Sequence, residues 1–107
     1  YFTDKQCEVD QVLNQLGYIT EMEKVFGKFC CDIWCPEENW VVEIVGPQHY
    51  KKELNKRQKY IAENFGIKHF TYLPSDISKK DAKEILQREI EKYSEEDSGD
   101  YIEKRVK

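Results

Sequence analysis

Two apolar runs separated by one polar break constrain this chain most: FCCDIW from Phe29 to Trp34 and WVVEIV from Trp40 to Val45, with Cys35 and the loop Pro36-Glu37-Glu38-Asn39 between them. Their β-branched and aromatic content predicts a hairpin rather than a helix. Each run carries one acid, Asp32 and Glu43. A four-residue loop from Pro36 to Asn39 sets Cys35 against Trp40, and counting back along both strands then sets Asp32 opposite Glu43. Directly opposed residues hold their Cβ atoms roughly 5 Å apart, where two like charges destabilise the pairing. A divalent cation between the carboxylates offsets that repulsion, and such a cation is also a usual agent of phosphodiester hydrolysis. The alternative register, slipped by one residue, sends the two acids to opposite faces and leaves one of them in solvent.

Composition narrows the field around that hairpin. At 107 residues, 39% hydrophobic and 36% charged, the chain suffices for one domain with a modest core and is too short for two. The net charge of −4 is not that of a generally basic nucleic-acid binder. Distribution matters more than the sum: Lys51, Lys52, Lys56, Arg57 and Lys59 cluster after the hairpin, whereas Glu89, Glu91, Glu95, Glu96, Asp97, Asp100 and Glu103 gather near the C-terminus. No stretch approaches the roughly 20 apolar residues that span a membrane, and no signal-peptide pattern opens the chain, so an intracellular, non-secreted protein of unknown compartment is expected. It opens on Tyr1 rather than methionine, which fits a domain excised from a larger protein. Cys7, Cys30, Cys31 and Cys35 form no paired CxxC motif and read as buried free thiols rather than a zinc site.

In chain order, Thr3 with Gln6 forms a capping-box start, and Val9, Val12, Leu13 and Leu16 recur at helical spacing up to Gly17, predicting a helix over Asp4 to Leu16. Tyr18 to Phe26 alternates loosely and predicts an edge strand. After the hairpin and Gly46-Pro47, Leu54, Arg57, Ile61 and Phe65 are spaced for a second helix. Ile67 to Leu73 predicts a fourth strand, within which His69 reads as structural. Ser78 with Asp81 caps a third helix whose Ala82, Ile85, Leu86, Ile90 and Tyr93 form one apolar stripe. The expected domain is residues 1–93, followed by an acidic tail or linker over 94–107. The order helix, three strands, helix, strand, helix implies an α/β sandwich with a small mixed four-stranded sheet, strands three and four running parallel on either side of a crossover.

That order, with Asp on one hairpin strand and Glu on the next, resembles the PD-(D/E)XK nuclease superfamily over roughly Glu8 to Leu73, which implies a restriction-endonuclease-like sandwich. More narrowly, Glu8 on the first helix, Asp32, the segment VVEIVGPQH and Arg57 ahead of Asn64-Phe65-Gly66 are similar to the very-short-patch-repair endonucleases and related homing endonucleases. Val45 stands where the broad superfamily keeps a lysine, a departure the narrower group shares. Lys56 and Gln58 flank Arg57, where that group tends to carry an Asp.

The resemblance implies a metal-dependent endonuclease domain acting on DNA or RNA, with Glu8, Asp32, Glu43 and His49 as the catalytic set. It implies Mg²⁺ or Mn²⁺ held by Asp32 with the Ile44 carbonyl or the Glu43 carboxylate. His49 would move a proton, although it is equally an ordinary loop histidine. Glu8 would act from the helix side, or be a plain boundary residue. Lys51, Lys52, Lys56, Arg57 and Lys59 would track the phosphate backbone, or simply be a solvated helix face. Trp34, Trp40 and Tyr50 offer rings for base stacking or for the core. Attached domains would supply specificity, and a homodimer would be one way to cut both strands. VGPQHY and KRQKYIAENFG also resemble the RAP domain, which implies a catalytically inactive RNA- or DNA-binding relative. A third alternative is a protein-interaction domain that uses the acidic tail and third helix.

Overall fold

A computed structural model describes the backbone of residues 3–46 and 51–106 and the side chains of residues 3–46 and 52–94. The elements follow one another as α1 (Asp4–Gln15), β1 (Glu21–Phe26), β2 (Phe29–Cys35), β3 (Trp40–Val45), α2 (Lys51–Phe65), β4 (His69–Pro74) and α3 (Lys79–Val106). One sheet in the order β1-β2-β3-β4 joins the strands, antiparallel twice and then parallel between β3 and β4. The mixed four-stranded sheet between helices is the expected architecture, and Cys35 faces Trp40 as the four-residue loop requires.

Local chemistry fixes the ends of these elements. Thr3 Oγ1 accepts the Gln6 N–H at 3.1 Å and Ser78 Oγ accepts that of Asp81 at 3.1 Å, so both sequence caps form. Gly17, at φ 97°, closes α1 in the left-handed conformation that glycine adopts without a Cβ penalty. Gly27, at φ 63°, turns β1 into β2 so close to α2 that a Cβ there would lie 2.5 Å from the Tyr60 hydroxyl oxygen. Asn39 takes φ 54° in the hairpin loop, and its Nδ2 donates to the Gly66 carbonyl at 2.7 Å.

Alternation along β3 divides the core into two. Trp40 and Val42 face α1 and α3, where they meet Val9, Val12, Leu13, Ile33, Leu73, Ala82, Leu86 and Tyr93. Val41 faces α2, packing with Phe26, Cys31, Ile61 and Ile67. A strand covered on both faces reads as a continuous apolar run, which is why WVV carries no polar alternation. Trp40 is fully buried, its Nε1 donating to Thr71 Oγ1 at 2.9 Å, so it is a core residue and not a stacking platform. His69 stacks on Tyr93 with ring centroids 4.0 Å apart, in keeping with a structural role. Of the cysteines, all free, Cys31 and Cys35 are buried, whereas Cys30 is exposed and Cys7 half-buried, so the expectation of buried thiols holds for only two.

Two boundaries differ from expectation. β1 begins at Glu21 rather than Tyr18. α3 continues helically through the acidic run to Val106 instead of stopping near Tyr93. Extending an existing helix costs far less than nucleating one, and Glu, Lys and Arg are good helix formers, so a run without apolar residues prolongs it. Among the described residues no helix is long and apolar enough to cross a membrane.

Candidate active site

The two hairpin acids meet where the alternation of β2 breaks. Phe29 and Cys31 pack toward α2, yet Ile33 and Cys35, of the same parity, pack toward α1 and α3. The strand therefore turns over at Asp32. β1 does the same beside it: Phe26 faces α2, Met22 faces the other core, and Glu23 between them takes φ 57°. The pairs Met22 with Ile33 and Lys24 with Cys31 flank this point, and Ile33 pairs with Val42 on the other side. Glu23, Asp32 and Glu43 thus form a transverse row of carboxylates across three strands.

Each hairpin acid accepts a backbone N–H from the opposite strand. Glu43 Oε1 takes the Asp32 N–H at 2.7 Å, and Asp32 Oδ2 takes the Ile44 N–H at 2.8 Å. Arg57 reaches from α2 to complete the balance, its Nη1 lying 2.7 Å from Glu43 Oε2 while Nη2 donates to the Cys30 carbonyl. The repulsion anticipated between opposed acids is met here by two N–H groups and a guanidinium.

Burial decides the titration of Glu43, which is 4% exposed. Desolvation pushes its carboxyl up to about 7, and the opposing pull of Arg57 and of the Asp32 N–H does not cancel it. Burial likewise drives the Cys31 thiol and the Tyr72 hydroxyl up to about 12, with Glu43 adding to both. Cys30 rises to about 11, chiefly because its Sγ donates to Glu23 Oε2 at 3.1 Å.

The remaining sequence candidates are distributed unevenly. Glu8 sits on α1 in an ion pair with Lys5 at 3.3 Å, with no described contact to Asp32 or Glu43. From α1, Gln6, 3% exposed, hydrogen-bonds to the hairpin, its Nε2 donating to the Asp32 carbonyl at 3.0 Å and lying 3.4 Å from Glu23 Oε1. Gln6 and Glu23 are thus additions to the sequence-derived set. Gln6 fits a capping box, and Glu23 lies within the loosely alternating edge strand, so neither carries a sequence signal for the site. Lys52, Lys56 and Lys59 are exposed along α2, whereas Arg57 is half-buried. His49 and the Lys51 side chain lie outside the described residues, as does Tyr50.

Among the described residues no group of three or more His, Cys, Asp or Glu side chains is placed to hold a metal ion. The donor chemistry still suits a hard cation, since the Asp32 and Glu43 carboxylates and the Ile44 carbonyl are all oxygens. Glu43 is the least available of the three, both its oxygens being engaged.

A small mixed sheet with α1 and α3 on one face and the crossover helix α2 on the other is a nuclease-like fold. The catalytic domain of the homing endonuclease I-Bth0305I aligns with 85% of this chain and 93% of its own, at a TM-score of 0.59 and 13% sequence identity. No family model and no curated protein matches the sequence.

Proposed function

We propose that the chain is a metal-dependent endonuclease domain that hydrolyses phosphodiester bonds of DNA or RNA, of the PD-(D/E)XK type and nearest in kind to the very-short-patch-repair and homing endonucleases. The observation that carries this reading is the cross-capped Asp32–Glu43 pair at the point where β2 turns over, within a fold shared with a homing endonuclease catalytic domain. Asp32, with the Ile44 carbonyl or the Glu43 carboxylate, would hold Mg²⁺ or Mn²⁺. Such an ion supplies Lewis-acid polarisation of a phosphate and a more acidic water.

The chain's own residues do the rest. The Ile44 N–H and the Gln6 amide fix Asp32 from two sides. Glu43, buried beside Asp32, completes the acid pair from β3. His49, just past β3, is a proton carrier, and Glu8 acts from the α1 side. Arg57 braces Glu43, and Lys51, Lys52, Lys56 and Lys59 bind phosphates along α2. In this reading residues 1–93 form the endonuclease-like domain and residues 94–107, which prolong α3 to Val106, an acidic tail or linker, with a homodimer one route to double-strand cleavage.

One observation favours a second reading. Arg57 already balances Glu43 without any ion, as a catalytically inactive, RAP-like nucleic-acid-binding relative would require. Isothermal titration of Mg²⁺ and Mn²⁺ into wild type and Asp32→Ala, with a nicking assay on both, separates the two. Metal binding and nicking that vanish together with Asp32 support the enzyme; a wild type that binds no metal leaves the fold to recognition.

A further inference from the structure

A recess of about 470 Å³ opens between the start of β2 and the first half of α2, lined by Phe29, Cys30, Glu53, Leu54, Lys56 and Arg57. Its size falls within the roughly 300–1,000 Å³ of small-molecule sites. Phe29 supplies an aromatic wall, held in place by an edge contact with Tyr60 at 5.4 Å between centroids. Leu54 supplies an aliphatic one. Positive charge rims it: the Arg57 guanidinium lies 5.7 Å from the Phe29 ring centroid, and Lys56 is exposed at the lip. Arg57 also contacts Glu43, and Cys30 stands two residues before Asp32, so the recess adjoins the row of acids.

We infer that this recess is a nucleoside subsite, seating one base of the bound strand against Phe29 and Leu54 with its phosphate on Lys56. The inference rests on the proposed nucleic-acid function and specifies how the strand is held. Apolar walls suit a base's π-face, the basic rim suits its phosphate, and the Glu53 carboxylate is an acceptor for an exocyclic amino group. Because stacking is tolerant of base identity, the subsite fixes the position of the strand more than its sequence.

The test is a titration of the isotope-labelled chain with deoxyadenosine monophosphate and, separately, inorganic phosphate, both in chelator and followed by amide chemical shifts. Saturable shifts at Cys30 and Leu54 with the nucleotide, and at Lys56 alone with phosphate, are expected. Leu54→Trp, which fills the recess, should abolish the Cys30 response and weaken binding of a single-stranded oligonucleotide by roughly tenfold. Nucleotide shifts identical to those of phosphate overturn the subsite, as does a folded Leu54→Trp that binds like wild type. If that variant does not fold, the comparison on wild type decides. Nicking without the nucleotide response retains the endonuclease and overturns the subsite; the response without nicking does the reverse.

Discussion

Arg57 Nη1 lies 2.7 Å from Glu43 Oε2, joining the crossover helix to the central strand through a carboxylate that is almost wholly buried. This pair is the electrostatic centre of the sheet's α2 face. Removing only the cation leaves a desolvated carboxyl that takes up a proton at neutral pH. Arg57→Met should therefore cost about 1 kcal/mol at pH 7.5 and more as the pH rises further. Adding Glu43→Leu to it should restore most of the loss. Urea unfolding of the single and double variants measures both, and a double variant no better than the single would show that the charge is not what was lost.

Titration of Glu43 couples stability to pH in the direction opposite to that of a salt-bridged surface acid. Its folded carboxyl titrates near 7 against an ordinary 4.5. Between those values the folded chain keeps a proton that the unfolded chain has released, so stability falls as pH rises through the window. The contribution is fully present below about pH 4.5, and up to about 3 kcal/mol of it is gone above pH 7. Glu43→Gln should flatten this part of the profile, as read from the difference between the two sets of urea midpoints from pH 4.5 to 7.5.

At position 23 the usual strand preference should invert. Valine ordinarily outranks glycine in a strand, but Glu23 sits at φ 57°, where a β-branched residue is strained. Glu23→Val should be less stable than Glu23→Gly by about 1–2 kcal/mol, read as a lower melting temperature. Equal melting temperatures would mean that the backbone relaxes out of the left-handed region once the glutamate is gone.

Gln6 tests whether α1 serves the hairpin or only its own first turn. Thr3→Ala, which deletes the cap, should cost about 1 kcal/mol and leave nicking intact. Gln6→Ala removes an amide that donates to the Asp32 carbonyl and should cost about 1 kcal/mol. It should also slow nicking at saturating substrate. Thermal melts and single-turnover rates on the same preparations compare the two, and matching behaviour would reduce Gln6 to a capping residue.

Much of this fold was legible because local signals agreed with long-range ones. The loop Pro36 to Asn39 set the hairpin register by its length, and WVV announced a strand covered on both faces. Ser78 and the stripe from Ala82 to Tyr93 located the start and packed face of α3, but its polar continuation offered no tertiary signal that would mark an end. The site was legible only in part. Parity rules assume unbroken alternation, so the turning-over of β2 at Asp32 and of β1 at Glu23 left no mark in the sequence. Gln6 satisfied a local motif, which concealed a contact to a residue 26 positions away. Arg57 could be assigned to a helix, but its partner emerges only once the crossover lays that helix over β3.

The irregularity at Glu23 also affects how copies of this chain meet. β1 is an outer strand with β2 as its one neighbour, and an outer strand is an open template for pairing with another chain. Here the template is broken midway by a left-handed residue and carries Glu21, Glu23 and Lys24 along six positions. A second copy approaching along that border finds neither a continuous ladder nor a neutral one. Amyloid-like stacking and edge-to-edge pairing of two copies through β1 are thereby disfavoured.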